Sequence, residues 1–173
     1  MSMKTAYRSS CSCGQVMLEA TGEPILSAAC YCTSCQAAAR RFEQARGAPP
    51  VLRSDGGTDY CLFRKDRVRV TRGGEQLQEH RLTEESATRR LVAACCNAPM
   101  VLDFTRGHWL TLYRDRLSQD APPVEMGLMA KDRPADRPLP DGLPIYEAYP
   151  ARFMIRIMIA WARMGFRRPR LTW

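Results

Sequence analysis

Eight cysteines, and the way seven of them cluster, constrain this chain more than any other feature. They stand at Cys11 and Cys13, at Cys30, Cys32 and Cys35, at Cys95 and Cys96, with Cys61 alone. The opening stretch Met1–Ser10 is polar and lacks the apolar core of an export signal, so a reducing, cytoplasmic setting is expected. Reduced thiols gathered in short motifs point to metal ligation rather than to a disulfide framework. A length of 173 residues allows one domain whose core removes roughly 70% of the unfolded surface from water. At 45% hydrophobic and 25% charged residues, the composition excludes a disordered, collagenous or multi-span membrane chain.

The net charge of +8 is unevenly placed. Arg152, Arg156, Arg163, Arg167, Arg168 and Arg170 all follow the last acid, Glu147, and without these six the charge falls to +2. A nearly neutral body argues against a nucleic-acid groove, so no nucleic-acid partner is expected.

Short strands are expected over Val16–Ala20, Tyr60–Arg64, Arg67–Arg72, Gln76–Leu82, Leu91–Ala94, Met100–Phe104 and Trp109–Leu112, with Gly73-Gly74 as a hairpin turn. Ser34 is placed to cap a helix from Cys35 to about Ala45, stopped at Gly47–Pro50. Seven of the twelve prolines fall between Gln119 and Pro150, which reads as an extended connector. After it, Ala151–Phe166 reads as a helix whose Arg152, Arg156 and Arg163 fall within about 40° of one another. The rest of that helix is apolar, yet too short for the roughly 20 residues of a membrane span. The expected class is mainly β with antiparallel sheets, divided into residues 1–118, a connector at 119–150 and a basic amphipathic tail at 151–173.

Cysteines one or two residues apart can bring two thiolates to one ion at about 2.3 Å each. Cys30-Tyr31-Cys32-Thr33-Ser34-Cys35 supplies three sulfurs in six residues. Three protein ligands leave a fourth position for water or a substrate thiolate, as in catalytic zinc sites; a fourth ligand such as Cys61 would instead close the site. Cys11-Ser12-Cys13-Gly14 is half of a second site, with Cys95-Cys96-Asn97-Ala98-Pro99 as its evident partner.

This order of motifs, over roughly residues 8 to 115, resembles the glutathione-dependent formaldehyde-activating enzyme family, which also includes centromere protein V. The resemblance implies a β-tent fold, a structural zinc on the first and last knuckles and a second zinc on the middle tripod as the proposed catalytic centre. The implied activity is reversible addition of the glutathione thiol to formaldehyde. The family's late knuckle reads C-x-x-C-G-[ST]-P; aligning Pro99 sets Cys96 on its second cysteine, Asn97 on its glycine and Ala93 on its first cysteine. Cys95 or Cys61 is left to supply the missing ligand, although neighbouring side chains diverge in an extended chain. Cys95-Cys96 could alternatively form a vicinal redox pair.

Two functions are therefore open. In the first, a carbon–sulfur lyase-type enzyme, zinc on Cys30, Cys32 and Cys35 activates glutathione or another small thiol, and Arg40 and Arg41 are candidate clamps for its carboxylates. His80 and His108 are the two histidines, more naturally packed residues than proton shuttles. In the second, up to two zincs are both structural and the tail helix docks the domain to a partner, a second copy as a homodimer, or a membrane surface.

Overall fold

The structure is a computed structural model and describes residues 5–171 and 173. Of the polar stretch Met1–Ser10, residues 1–4 lie outside the described residues. The architecture is mainly β. Strands β1 (Ala6–Ser10), β2 (Met17–Thr21) and β5 (Val68–Arg72) form a three-stranded sheet in the order β1-β2-β5. The other seven are β3 (Leu26–Cys30), β4 (Thr58–Arg64), β6 (Leu77–His80), β7 (Thr88–Ala93), β8 (Ala98–Phe104), β9 (Trp109–Tyr113) and β10 (Met126–Leu128). They form a second sheet in the order β10-β3-β4-β9-β8-β7-β6. All pairings are antiparallel except β10 with β3. Helix α1 spans Thr33–Glu43 and α2 spans Ala151–Arg163.

Side chains alternate across a strand, so the seven-stranded sheet serves two cores. Cys61, Phe63, Leu110, Leu112 and Val101 face the three-stranded sheet and pack with Tyr7, Leu18, Ala20 and Val68. Their neighbours Tyr60, Leu62, Tyr113 and Ala28 face the opposite way, where Phe153, Ile157 and Ala160 of α2 cover them. Burying Phe153 and Ile157 is worth roughly 1.5–3 kcal/mol each, enough to hold the tail against the body.

The Pro-rich connector does more than span a gap. Its β10 adds a parallel strand to the sheet edge, and Glu125 accepts from the Ser27 amide at 3.1 Å while pairing with Arg156 of α2 at 2.7 Å. Arg152 lies over the Tyr146 ring at 4.9 Å, so two arginines of the basic stripe are engaged within the chain. Beside the exposed Arg152 and Arg163, α2 leaves four large apolar side chains outward: Met154, Ile155, Met158 and Ile159. No helix among the described residues is long and apolar enough to cross a membrane.

Three expectations need correction. Gly73-Gly74 does not join a hairpin, because β5 pairs with β2 and β6 with β7, in different sheets. Gly73 adopts φ 69° where the chain crosses over, and a Cβ there would run into the Gln15 carbonyl. The first helix begins at Thr33 with Cys32 as its N-cap, so Ser34 lies inside it, and it ends at Glu43 rather than near Ala45. The tail helix ends at Arg163, with a turn through Gly165 and Phe166, both at positive φ.

Two sulfur clusters and a candidate active site

Cys11, Cys13, Cys95 and Cys96 present four sulfurs all within 4.8 Å of one another. Cys11 Sγ lies 3.6 Å from Cys13 Sγ and 3.7 Å from Cys95 Sγ, and Cys13 and Cys95 are 3.3 Å apart. A tetrahedron with metal–sulfur bonds of 2.3 Å has edges of about 3.8 Å, so this donor set fits one zinc-sized ion. The knuckle is folded by local bonds: the Gly14 amide donates to the Cys11 carbonyl at 3.0 Å, and the Val16 amide to Cys11 Sγ at 3.2 Å. Burial would raise the Cys11 thiol, but the Val16 amide and the neighbouring sulfurs outweigh it and bring the pKa down to about 7.

The adjacent cysteines can both face this cluster because the chain is not extended there. Residues 94–97 form a turn after β7, the Cys96 amide donates to the Ala93 carbonyl, and Asn97 adopts φ 56°. Asparagine is among the few side chains that enter the left-handed region readily, so Asn97 can make this turn without a glycine. Ala93, at the place of the family's first cysteine, is fully buried in the core beneath. Cys61 belongs to neither sulfur cluster; it is buried in β4, and its thiol donates weakly to Ser27 Oγ at 3.5 Å.

The second cluster brings together Cys30, Cys32 and Cys35, again with their sulfurs within 4.8 Å. Cys30 ends β3, Cys32 caps α1, and Cys35 sits in its first turn, where the helix dipole favours a thiolate. The loop is anchored from below. Gln36 Nε2 donates to the Tyr31 carbonyl at 2.6 Å and to the Asp132 carbonyl at 2.8 Å, and the Tyr31 hydroxyl donates to Asp55 at 2.9 Å. The Tyr60 hydroxyl donates to Cys35 Sγ at 3.5 Å.

Crowding splits the three thiols. Hydrogen bonds from Cys30 and Cys35 pull Cys32 well below the usual thiol range. Cys35 is pushed up to about 11, the lowering effect of Cys30 being overcome by Cys32 and by burial. Cys30 is raised by its hydrogen bonds to Cys32 and Cys35, then by burial. Such a cluster accommodates three negative charges only around a cation, and an all-sulfur set suits zinc.

The tripod lies on the wall of a pocket of about 450 Å³ between the seven-stranded sheet and α2. Its floor is one face of the sheet: Tyr60 and Leu62 from β4, Trp109 and Thr111 from β9, Leu102 and Phe104 from β8, Thr88 and Arg90 from β7. The connector and helix close the other side with Tyr149, Phe153, Met154 and Ile157. Arg90 is 1% exposed; one terminal nitrogen donates to the Ser34 carbonyl at 3.2 Å, and its Nε has no partner.

The other candidate residues lie elsewhere. Arg40 is exposed and donates to Gln36 at 3.0 Å, Arg41 is exposed and reaches the Arg81 carbonyl, and neither lines the pocket. His80 packs edge-on to Phe42. His108 is buried, stacked on Trp161 at 5.3 Å and bonded to the Ile157 carbonyl at 2.8 Å, so it fastens α2. Arg90 was not singled out from sequence, where the expected strand starts only at Leu91; β7 begins at Thr88, and its alternation, with Leu91 and Ala93 facing the first core, is the signal that turns Arg90 to the pocket side.

Comparison with curated proteins gives no match. Among solved structures, the crystal structure of a Rhodobacter sphaeroides protein is similar at 18% identity, covering 66% of this chain and 91% of that one, with a TM-score of 0.47. Residues 6–49, which hold the first knuckle and the tripod, match the model of the glutathione-dependent formaldehyde-activating enzyme family, so it is this segment of the chain that is similar to that family.

Proposed function

We propose that the protein is a carbon–sulfur lyase-type enzyme that joins a small thiol, glutathione or another, to formaldehyde and reverses that addition, with zinc on Cys30, Cys32 and Cys35. One observation carries the reading: the three-sulfur cluster opens on a pocket, whereas the four-sulfur cluster already has a complete donor set. Zinc held there would supply a thiolate nucleophile at neutral pH. In the forward direction the sulfur–carbon bond forms, the carbonyl π bond breaks, and the proton lost by sulfur ends on the former carbonyl oxygen.

The chain's own residues account for the surroundings of that step. Tyr60, donating to Cys35, orients the cluster from beneath. The Tyr149 hydroxyl is kept protonated by burial and by the nearby cysteines, which leaves it a donor at the pocket mouth. Apolar walls from Leu62, Leu102, Phe153 and Ile157 limit water around the reacting atoms. A reducing, cytoplasmic setting suits eight free thiols.

Native mass spectrometry of the zinc-loaded protein with and without glutathione, paired with an exchange assay on its formaldehyde adduct, tests this. Two zincs, a retained thiol and loss of exchange in Cys32→Ser support it; unchanged exchange in Cys32→Ser overturns it.

A second reading rests on the outward apolar face of α2, on which Ile155 is 58% exposed. In it the domain is a zinc-stabilised binding module whose helix docks to a partner, a second copy or a membrane surface. Liposome flotation and sedimentation of the intact chain against an Ile155→Ser, Ile159→Ser variant separate the two; no difference removes the docking role.

A further inference from the structure

The pocket beside the tripod has an unusual balance of charge for a site that would take glutathione. Glutathione carries two carboxylates, an ammonium and two amides. Apart from the tripod cysteines, the pocket lining holds one charged side chain, Arg90, and no acid. Its remaining polar groups are the hydroxyls of Ser34, Tyr60, Thr88, Thr111 and Tyr149. Everything else is aliphatic or aromatic, contributed by five strands and by α2. A second carboxylate entering here would shed its water without gaining a counter-charge, which is costly.

Arg90 itself is unusual. A guanidinium has five N–H donors in a rigid fork, and such groups are rarely buried unless paired. Among the described residues Arg90 has no carboxylate partner: Asp103, the buried acid nearby in the sheet, is taken by Lys65 at 2.8 Å and Arg89 at 2.9 Å. Its neighbours are the Ser34 carbonyl and the Tyr113 hydroxyl, which leave part of the fork unused, and its buried Nε has no partner among the described residues. A buried cation with spare donors beside an apolar cavity is completed by an anion from the ligand.

Resting on the proposed thiol chemistry at the tripod, we infer that the substrate of this site is a thiol with an apolar body and a single carboxylate, which the Arg90 guanidinium binds while the sulfur reaches the cysteine cluster. Arg90 is then the specificity-determining residue. Arg40 and Arg41, outside the pocket, take no part.

The experiment uses the zinc-loaded full chain and four probes in titration calorimetry: 6-mercaptohexanoate, 6-mercaptohexanol, glutathione and, lacking sulfur, hexanoate. The expected result is that 6-mercaptohexanoate binds at least 10-fold more tightly than either 6-mercaptohexanol or glutathione. Arg90→Gln removes that advantage over the alcohol and leaves alcohol binding within about twofold, and Arg90→Lys restores part of it. Thermal melts and zinc counts establish that both variants are folded; if Arg90→Gln fails to fold, Arg90→Lys and the wild-type probe ranking decide. Equal binding of acid and alcohol, or tighter binding of glutathione, overturns the inference. If no thiol binds at the tripod but hexanoate binds in an Arg90-dependent manner, the thiol chemistry fails and the carboxylate site stands; if hexanoate and the thiols all fail to bind, the carboxylate site falls too.

Discussion

The two sulfur clusters use the same ligand atoms and differ in what surrounds them. The four-sulfur cluster joins residues more than eighty positions apart, Cys11 and Cys13 to Cys95 and Cys96, at the rim of the core between the two sheets. The three-sulfur cluster is local, drawn from six consecutive residues, and lies over the opposite face of the larger sheet beside a cavity. A long-range tie with a full donor set suits a staple; a local tripod with neighbouring space suits chemistry, because little of the fold depends on its metal. The sheet between them lets the two roles coexist, Tyr60 serving one side and Cys61 the other.

The sharpest way to break this contrast is to remove one sulfur from each cluster. Cys95→Ser should cost one zinc per chain and most of the fold's stability, on the order of 10 kcal/mol for a structural zinc, read as a collapse of the thermal transition or as insoluble protein. Cys32→Ser should also lose one zinc but keep the fold, with a melting shift of only a few degrees and a fall in carbon–sulfur exchange of at least about 100-fold. If Cys32→Ser unfolds the chain as severely as Cys95→Ser, the two sites are both structural.

Metal removal sharpens the same point. A colorimetric chelator should draw zinc in two phases, the tripod first because it offers fewer ligands, with exchange activity lost in the first phase and circular dichroism changing in the second. Cys61→Ala should leave zinc content unchanged and cost about 1 kcal/mol of stability by chemical denaturation, since it only loses packing and a weak bond to Ser27.

The smallest expected effect concerns the helix that closes the pocket. Burial holds His108 below its ordinary value of 6.5, aided by Arg168 and Lys65 and opposed by the Ile157 carbonyl. The unfolded chain therefore binds a proton that the folded chain resists, so this contribution is intact above about pH 6.5 and drains away as pH falls towards the folded value. Melting temperature should decline more gently with acid in His108→Gln than in the wild type, with Trp161 fluorescence reporting the helix.

Much of the cysteine logic was legible in the sequence because ligand spacing is local: three sulfurs in six residues must come together in nearly any compact conformation. The partner choice of strands was less so. Gly73-Gly74 announces a turn, yet nothing nearby says that β5 leaves for one sheet and β6 for the other. Strand β3, Leu-Ser-Ala-Ala-Cys, is buried on both faces and built of small residues, without the alternation or branched side chains that mark a strand. Strand β10 is three residues in a Pro-rich stretch, and it exists only because β3 offers an edge. Arg90 hid because the expected strand started at Leu91, one residue after it; once β7 is extended back to Thr88, the parity of Leu91 and Ala93 turns Arg90 to the other face.

The position of the pocket's outer wall in the chain bears on how the protein is made. Every sulfur of the staple has been synthesised by residue 96, and the tripod by residue 35, but the walls from Leu128, Tyr149, Phe153 and Ile157 come last. On the ribosome, the sheet sandwich can gather its metal while the cavity over the tripod does not yet exist. On the proposed function, the nascent chain would take its metal before it had anywhere to hold a substrate, and thiol chemistry would begin only once α2 had emerged and settled on the sheet.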